Sequence, residues 1–282
     1  MKIGIIPINI GVQAPGQCIQ VAQLAESLGY ESVWTFEHVI VPMDYASKYP
    51  YNDSGKMGAP PETNFVDPLI ALTAIAAATD RIRLGTGVNI LSQVNPLYMA
   101  KQAASLDFLS NGRFMLGVGI GWLREEFEAL GVPFEKRGAR FDDYVEAMRK
   151  VWSGDVVEHE SEFLSWHGFK SYPVPVQNPF PVVMGGIKGK IFERTARFGN
   201  GWFAPEGDPE KLKGHLADLR AACDAIGRDA SEIEITCMWP GHGGREFLEQ
   251  LEEVGVSRVT VPLMGAASPA ENLQRIAEEV ID

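Results

Sequence analysis

Eight times along this chain a short run rich in branched or aromatic residues gives way to a stretch with apolar residues at helical spacing. Strands that run parallel need a crossover between them, and a helix is the usual one, so strict strand–helix alternation leaves few architectures open. Residues 2–8 form the first run, and 15–28 its helix, with a stripe at Ile19, Val21, Ala22, Leu24, Ala25 and Leu28 that stops at Gly29. The later strands are expected at 31–36, 82–88, 114–118, 181–184, 201–203, 232–238 and 258–261, with helices at 67–78, 96–109, 139–152, 188–198, 209–226, 243–254 and 269–280 and a short one at 125–130. Eight such units predict a (β/α)8 TIM barrel, with residues 1–282 forming a single domain.

Two stretches break the rhythm. Residues 39–64 make a long loop after strand two, carrying Met43, Tyr45, Tyr49, Tyr51 and Met57 among several Pro and Gly, which suits a functional lid better than disorder. Residues 156–166 switch to a period of two around a polar turn at 159–162, an inserted β-hairpin before strand five. An open doubly wound sheet is the competing architecture, because Gly117, Gly119 and Gly121 suggest a dinucleotide loop. That motif lacks the third glycine at the proper offset and follows the fourth strand, where the fingerprint belongs to the first.

Charge and composition exclude several partners. A formal net charge of −12 leaves no basic surface for nucleic acid. No apolar run reaches the roughly 20 residues that span a bilayer. Cys18, Cys223 and Cys237 are odd in number and lack C-x-x-C spacing, so the expected compartment is the reducing cytoplasm. The five histidines show no H-x-H or H-E-x-x-H spacing and no metal is expected, and there is no G-x-S-x-G elbow for a serine nucleophile.

In a barrel of this kind, chemistry sits at the C-terminal ends of the strands. Strand two ends on Glu37 and His38, an acid and an imidazole for which a core strand has no use. His38 suits proton transfer; alone, it could equally be a satisfied structural residue. Strand three ends in Gly85-Thr86-Gly87-Val88, where glycines suggest a bulge or a close backbone approach. After strand five, Gly185 and Gly186 precede a helix with Lys188, Lys190 and Arg194 nearby, so bare N–H groups and cations together suggest a phosphate site.

Taken in order, these pieces resemble the bacterial luciferase-like family of barrels, which use FMN or the deazaflavin F420. The resemblance covers nearly the whole chain and rests on Ser-Val-Trp-Thr-Phe-Glu-His at 32–38, Ile-Arg-Leu-Gly-Thr-Gly-Val at 82–88, Ala-Ser-Leu-Asp at 104–107 with Ser-Asn-Gly-Arg at 110–113, Gly-Val-Gly-Ile-Gly-Trp at 117–122, and Gly185-Gly186 with Arg-Phe-Gly-Asn-Gly-Trp at 197–202. It implies that Glu37 and His38 contact the cofactor, with His38 catalytic. It further implies a non-prolyl cis peptide between Gly87 and Val88 against one face of the ring, with Asn89, Ile120, Gly121 and Trp122 completing the ring site. Gly185, Gly186, Lys188 and Gly189 would form the phosphate turn. The sugar-phosphate dehydrogenases of the family place a glutamate where this chain has Trp122, so an apolar wall is expected there instead of an acid/base group.

The leading expectation is hydride transfer between F420 and a small organic substrate, with His38 assisting the proton. A monooxygenase using reduced FMN and O2 is the alternative, and a non-catalytic ligand-binding barrel the third reading. The Lys188 and Lys190 pair favours the longer anionic tail of F420. The family also implies a homodimer; Met99 and the alanines at 100, 103 and 104 are one candidate surface for it and could equally pack within the monomer.

Overall fold

The computed structural model describes residues 1–263 and 268–281. Eight strands close into a parallel barrel: β1 (Lys2–Ile6), β2 (Ser32–Thr35), β3 (Arg83–Thr86) continued by β4 (Asn89–Ile90), β5 (Phe114–Gly119), β8 (Val182–Gly185), β9 (Gly201–Ala204), β10 (Glu234–Met238) and β11 (Arg258–Pro262). Pairing of β1 with β11 and of β3 with β5 leaves no free edge, as a (β/α)8 barrel requires. The doubly wound alternative is therefore excluded. The inserted hairpin is β6 (Val157–Glu160) with β7 (Ser165–Phe169), paired antiparallel.

The helices are α1 (Gln17–Ser27), α2 (Pro68–Ala76), α3 (Pro96–Leu109), α4 (Arg124–Ala129), α5 (Arg137–Val151), α6 (Ile191–Phe198), α7 (Pro209–Asp224), α8 (Gly244–Val254) and α9 (Pro269–Val280). Four of them start in the same way. Asp67, Asn95, Asp208 and Ser268 accept backbone N–H groups of the first turn, and a proline fills the next position, where its missing N–H costs nothing.

Two apolar layers result. One lies between strands and helices; the other plugs the barrel with Ile6, Trp34, Met115, Val183 and Phe203. Trp34 stands fully buried against Phe203 at 5.4 Å between ring centroids. It fits because Gly85 faces it: a Cβ there would lie 2.4 Å from the indole.

Several expected boundaries move for local reasons. Strand one stops at Ile6, since Pro7 has no N–H for the ladder. Strand three is interrupted at Gly87-Val88, and that bond is cis. The helix expected from residue 188 starts at Ile191, because Gly186 and Gly189 hold positive φ of 124° and 67°. The hairpin turn lies two residues later than the polar pattern suggests: His159 is a buried strand residue bonded to Asp143 at 2.9 Å, and Ser161 and Leu164 close the turn. Met99, Ala100, Ala103 and Ala104 are buried in the core, which removes them as a subunit surface.

Candidate active site

At the C-terminal ends of the strands a cavity of about 640 Å³ opens, within the range of small-molecule sites, roughly 300–1,000 Å³. Of the residues the sequence singled out, Glu37, His38, Gly87, Val88, Ile120, Gly121, Trp122, Gly185, Gly186 and Lys188 line it. Asn89 and Gly189 do not. Asn89 lies behind the wall, 2% exposed, donating to Glu37 Oε1 at 3.0 Å.

The wall at the cis bond is built from three strands. Val88 is flanked by Gly119 on β5 and Gly185 on β8, and a Cβ on either glycine would come within 2.8 or 2.4 Å of its methyl groups. Gly117 gives the same clearance to the Thr86 carbonyl, where a Cβ would sit 1.7 Å from the oxygen. The glycine run at 117–121 is therefore a steric clearance for the bulge on the neighbouring strand. No dinucleotide loop is involved.

Glu37 holds that bulge from behind. It is buried, takes the backbone N–H of Ile90 and the Asn89 amide, and is packed near two other acids. Burial pushes its carboxyl up to about 7, with Glu126 and Asp67 adding to the rise and the Ile90 amide opposing it. Glu37 is thus a support of the wall as much as a part of it.

His38 stands at the rim between two rings, edge-on to Phe65 and to Trp122, each at 5.9 Å. Its Nδ1 lies 3.0 Å from Oε2 of Glu126. Nothing in the local pattern of residues marks that partner. Glu126 sits in a run, Arg-Glu-Glu-Phe-Glu, that reads as a solvated helix face, yet it is 1% exposed.

The long loop folds over the mouth. Tyr49 meets Trp122 at 5.3 Å and Tyr51 at 5.4 Å, while Tyr45 packs on Trp122 from outside the cavity at 5.8 Å. Burial pushes the Tyr51 phenol up to about 12 and raises Tyr49 too, so both remain neutral hydrogen-bonding groups. The loop is tied to α4: Glu126 Oε1 accepts from the amides of Val39 and Ile40 at 2.6 and 3.3 Å, and Glu125 Oε1 from those of Ala46 and Ser47 at 2.7 and 3.2 Å.

The cavity is also lined by Arg137, Lys188 and Arg194. Arg194 is neutralised by Asp142 at 2.5 Å. Arg137 bonds only carbonyls, of Gly121 at 3.1 Å and Phe134 at 3.5 Å, and stacks on the Phe134 ring. Lys188 reaches the Pro50 carbonyl at 3.0 Å. Two cations that make no ion pair among the described residues therefore line the cavity of an acidic protein. Lys190 lies outside the lining, at the N-cap position of α6 without a side-chain cap bond, and nothing in Arg137's own helix marks it as facing a cavity.

The other matched motifs are structural. Asp107, fully buried, holds the segment at Val176 and Gln177, and Arg113 gathers the carbonyls of Ala76, Thr79, Ile82 and Ser110. Among the described residues no group of three or more His, Cys, Asp or Glu is placed to hold a metal ion.

A family model described as luciferase-like monooxygenase matches residues 6–273. A Mycobacterium tuberculosis protein of unassigned function is 35% identical over 268 residues, 92% of each chain. An F420-dependent glucose-6-phosphate dehydrogenase of Kineococcus radiotolerans is 29% identical over 242 residues, 82% of this chain and 66% of that one. Among solved structures, an F420-dependent secondary alcohol dehydrogenase superposes with a TM-score of 0.80 at 16% identity, over 100% of this chain and 99% of that one. An FMN-bound Baeyer-Villiger monooxygenase of Pseudomonas putida gives 0.65 at 17%, over 83% and 65%. The two structural matches show a shared fold. With a family model spanning almost its whole length and a relative of this similarity, the chain belongs to the luciferase-like monooxygenase family.

Proposed function

We propose that the cavity binds F420 and that the protein transfers hydride between it and a small organic substrate. One observation carries this reading: the largely apolar cavity that His38 lines is also lined by two cations, Arg137 and Lys188, whose hydrogen bonds among the described residues all go to carbonyls. A flat ring with a long anionic tail has that distribution of charge.

The residues fit such a group. Gly186, at φ 124°, brings bare backbone to the cavity, and a Cβ there would stand 3.4 Å from the Tyr51 hydroxyl. The segment leads into α6, whose first N–H groups favour an anion. Gly185, Gly186, Lys188 and Arg137 would hold the phosphate and tail. Val88, Ile120, Gly121 and Trp122 would bound the ring, and Gly189 and Asn89 would support these walls from outside the lining.

When bound, F420 supplies a ring carbon that accepts or gives hydride. The protein's own part is to fix the donor and acceptor within reach, to keep water out beneath Tyr49 and Tyr51, and to hold a proton at His38. Trp122, edge-on to His38, offers no acid/base group of its own beside the imidazole.

The alternative is FMN with O2 chemistry. FMN has the phosphate but no further anionic tail, so it leaves one of the two cations unused. Calorimetric titration with F420 and with FMN under the same salt tests the reading. Micromolar binding of F420, with FMN at least about tenfold weaker, is expected. The reverse order moves the protein to the oxygen-using reading, and binding of neither leaves a non-catalytic barrel.

We also propose a homodimer through α2 and α3, where Ile70, Tyr98, Phe108 and Leu109 are exposed; a sedimentation mass of one chain would remove this. No helix among the described residues is long and apolar enough to cross a membrane. Three unpaired cysteines support a cytoplasmic location.

A further inference from the structure

We propose that Glu126 is a positioning residue that fixes His38 as the Nδ1–H tautomer, leaving Nε2 as the proton acceptor of the cavity. The observation is the array around one buried carboxyl. Three N–H positions face its two oxygens: the Val39 and Ile40 amides at Oε1, and His38 Nδ1 at Oε2, 3.0 Å away. The Glu126 side chain is 2% exposed and that of His38 10%, so water does not compete for these bonds.

A carboxylate accepts on both oxygens and donates on neither. Nδ1 must then carry the hydrogen, and a neutral ring with hydrogen on Nδ1 has its lone pair on Nε2. No described residue bonds Nε2, and His38 lines the cavity. The ring is also prevented from turning. Phe65 and Trp122 stand edge-on to it, at 86° and 83°. The amides that share the carboxyl belong to the two residues after His38, so one group fixes both the ring and the backbone that carries it.

The catalytic consequence rests on the hydride-transfer reading above. In the oxidising direction a substrate C–H bond breaks and its hydride goes to F420. The adjoining O–H gives its proton to Nε2, and the C=O forms. With the hydrogen on Nε2 instead, the neutral ring has no base to offer at that place. Glu126 touches neither substrate nor cofactor; it acts through the imidazole.

The test uses the ligand-free protein. In Glu126→Gln the amide oxygen still accepts from Val39 and Ile40, while its NH2 turns toward Nδ1 and makes that nitrogen the acceptor. Two-bond proton–nitrogen NMR of nitrogen-15 histidine, with His38 assigned by loss of its signals in His38→Asn, reads the tautomer at a pH where the ring is neutral. Expected are a protonated Nδ1 with a pyridine-type Nε2 in the parent, and the inverse in Glu126→Gln. Glu126→Asp, which keeps the charge, should retain the parental tautomer.

A second readout separates positioning from mere support. Diethyl pyrocarbonate acylates an imidazole nitrogen that has a free lone pair, and mass spectrometry locates the product. If Glu126 sets the tautomer, modification of His38 should slow about tenfold in Glu126→Gln, the scale of one net hydrogen bond. If Glu126 only stiffens the loop, its replacement loosens the site and modification speeds up, which overturns the proposal. A parental ring with hydrogen on Nε2 overturns it as well. Inversion of the tautomer in a protein that binds neither F420 nor FMN would uphold the positioning role and sink the hydride-transfer reading instead.

Discussion

The two ends of the same barrel treat charge in opposite ways. At the N-terminal end Arg258, with no exposure, is held by both oxygens of Glu31 at 2.7 Å and by Glu234 at 2.5 Å, with the Thr236 hydroxyl oxygen accepting a further bond at 3.2 Å. These bonds to the guanidinium hold the Glu31 and Glu234 carboxyls below the usual range although burial opposes it. At the C-terminal end the balance is left open. Glu37 is pushed up by burial and by other acids, while Arg137 and Lys188 make do with carbonyls. The closed end is built for the fold, and the open end holds unbalanced charge that a ligand can complete.

Substitutions at the two ends should therefore differ in kind. The largest effect is expected from Arg258→Met. It leaves the partly buried Glu31 carboxylate without its partner and Glu234 with Lys2 alone, a loss of about 3–5 kcal/mol, read as a lowered denaturant midpoint, while folded protein keeps its affinity for F420. An unchanged midpoint would mean that the closed end is not the structural one.

Glu37 should give the next largest effect, through pH. Its folded value, about 7, lies above that of an unfolded glutamate, so the folded chain binds the proton more tightly. The stability this adds is complete below about 4.3 and is lost as pH rises through about 7. The full change is on the order of 3 kcal/mol. In Glu37→Gln that dependence disappears, so in chemical denaturation the variant should gain on the parent between pH 5 and about pH 7 and hold that lead to pH 8. A constant difference across that range would place the proton elsewhere.

Arg137→Met should change stability least, by under about 1 kcal/mol, the net worth of a hydrogen bond to a carbonyl. Its effect should appear in binding, with F420 weakened about ten- to a hundredfold, the scale of hydrogen bonds to charged groups. If the variant instead unfolds as readily as Arg258→Met, the contrast between the ends fails.

Much of the barrel can be read from the chain, because strand runs, helix stripes and Asp/Asn-Pro starts are local signals. Glu37 and His38 stood out for the same reason, as polar residues where a strand should have stayed apolar. Glu126 could not be found that way. It is 88 positions from His38, on a short helix whose charges look solvated, and only closure of the barrel brings α4 over the end of β2. Arg137 was hidden likewise, and the glycines at 117–121 were open to a false reading because the side chain they clear, Val88, lies on another strand. His159 looked like a turn residue because its partner, Asp143, belongs to α5. What a sequence conceals here is any contact whose two halves come from different βα units.

The way α4 grips the long loop bears on how such a protein can change its substrate. Glu125 and Glu126 hold Val39, Ile40, Ala46 and Ser47 by their backbone amides, and Ser47 adds its hydroxyl, which accepts the Arg124 N–H at 3.1 Å. Every amino acid except proline supplies the backbone N–H. Apart from the Ser47 hydroxyl, the attachment is therefore indifferent to which side chains the loop carries, and the residues above the cavity can drift or be randomised while their anchorage stays in place. A diversification experiment aimed at new substrates has its natural window at these positions and the tyrosines that follow, with proline the one residue to leave out of the library at the four anchored sites.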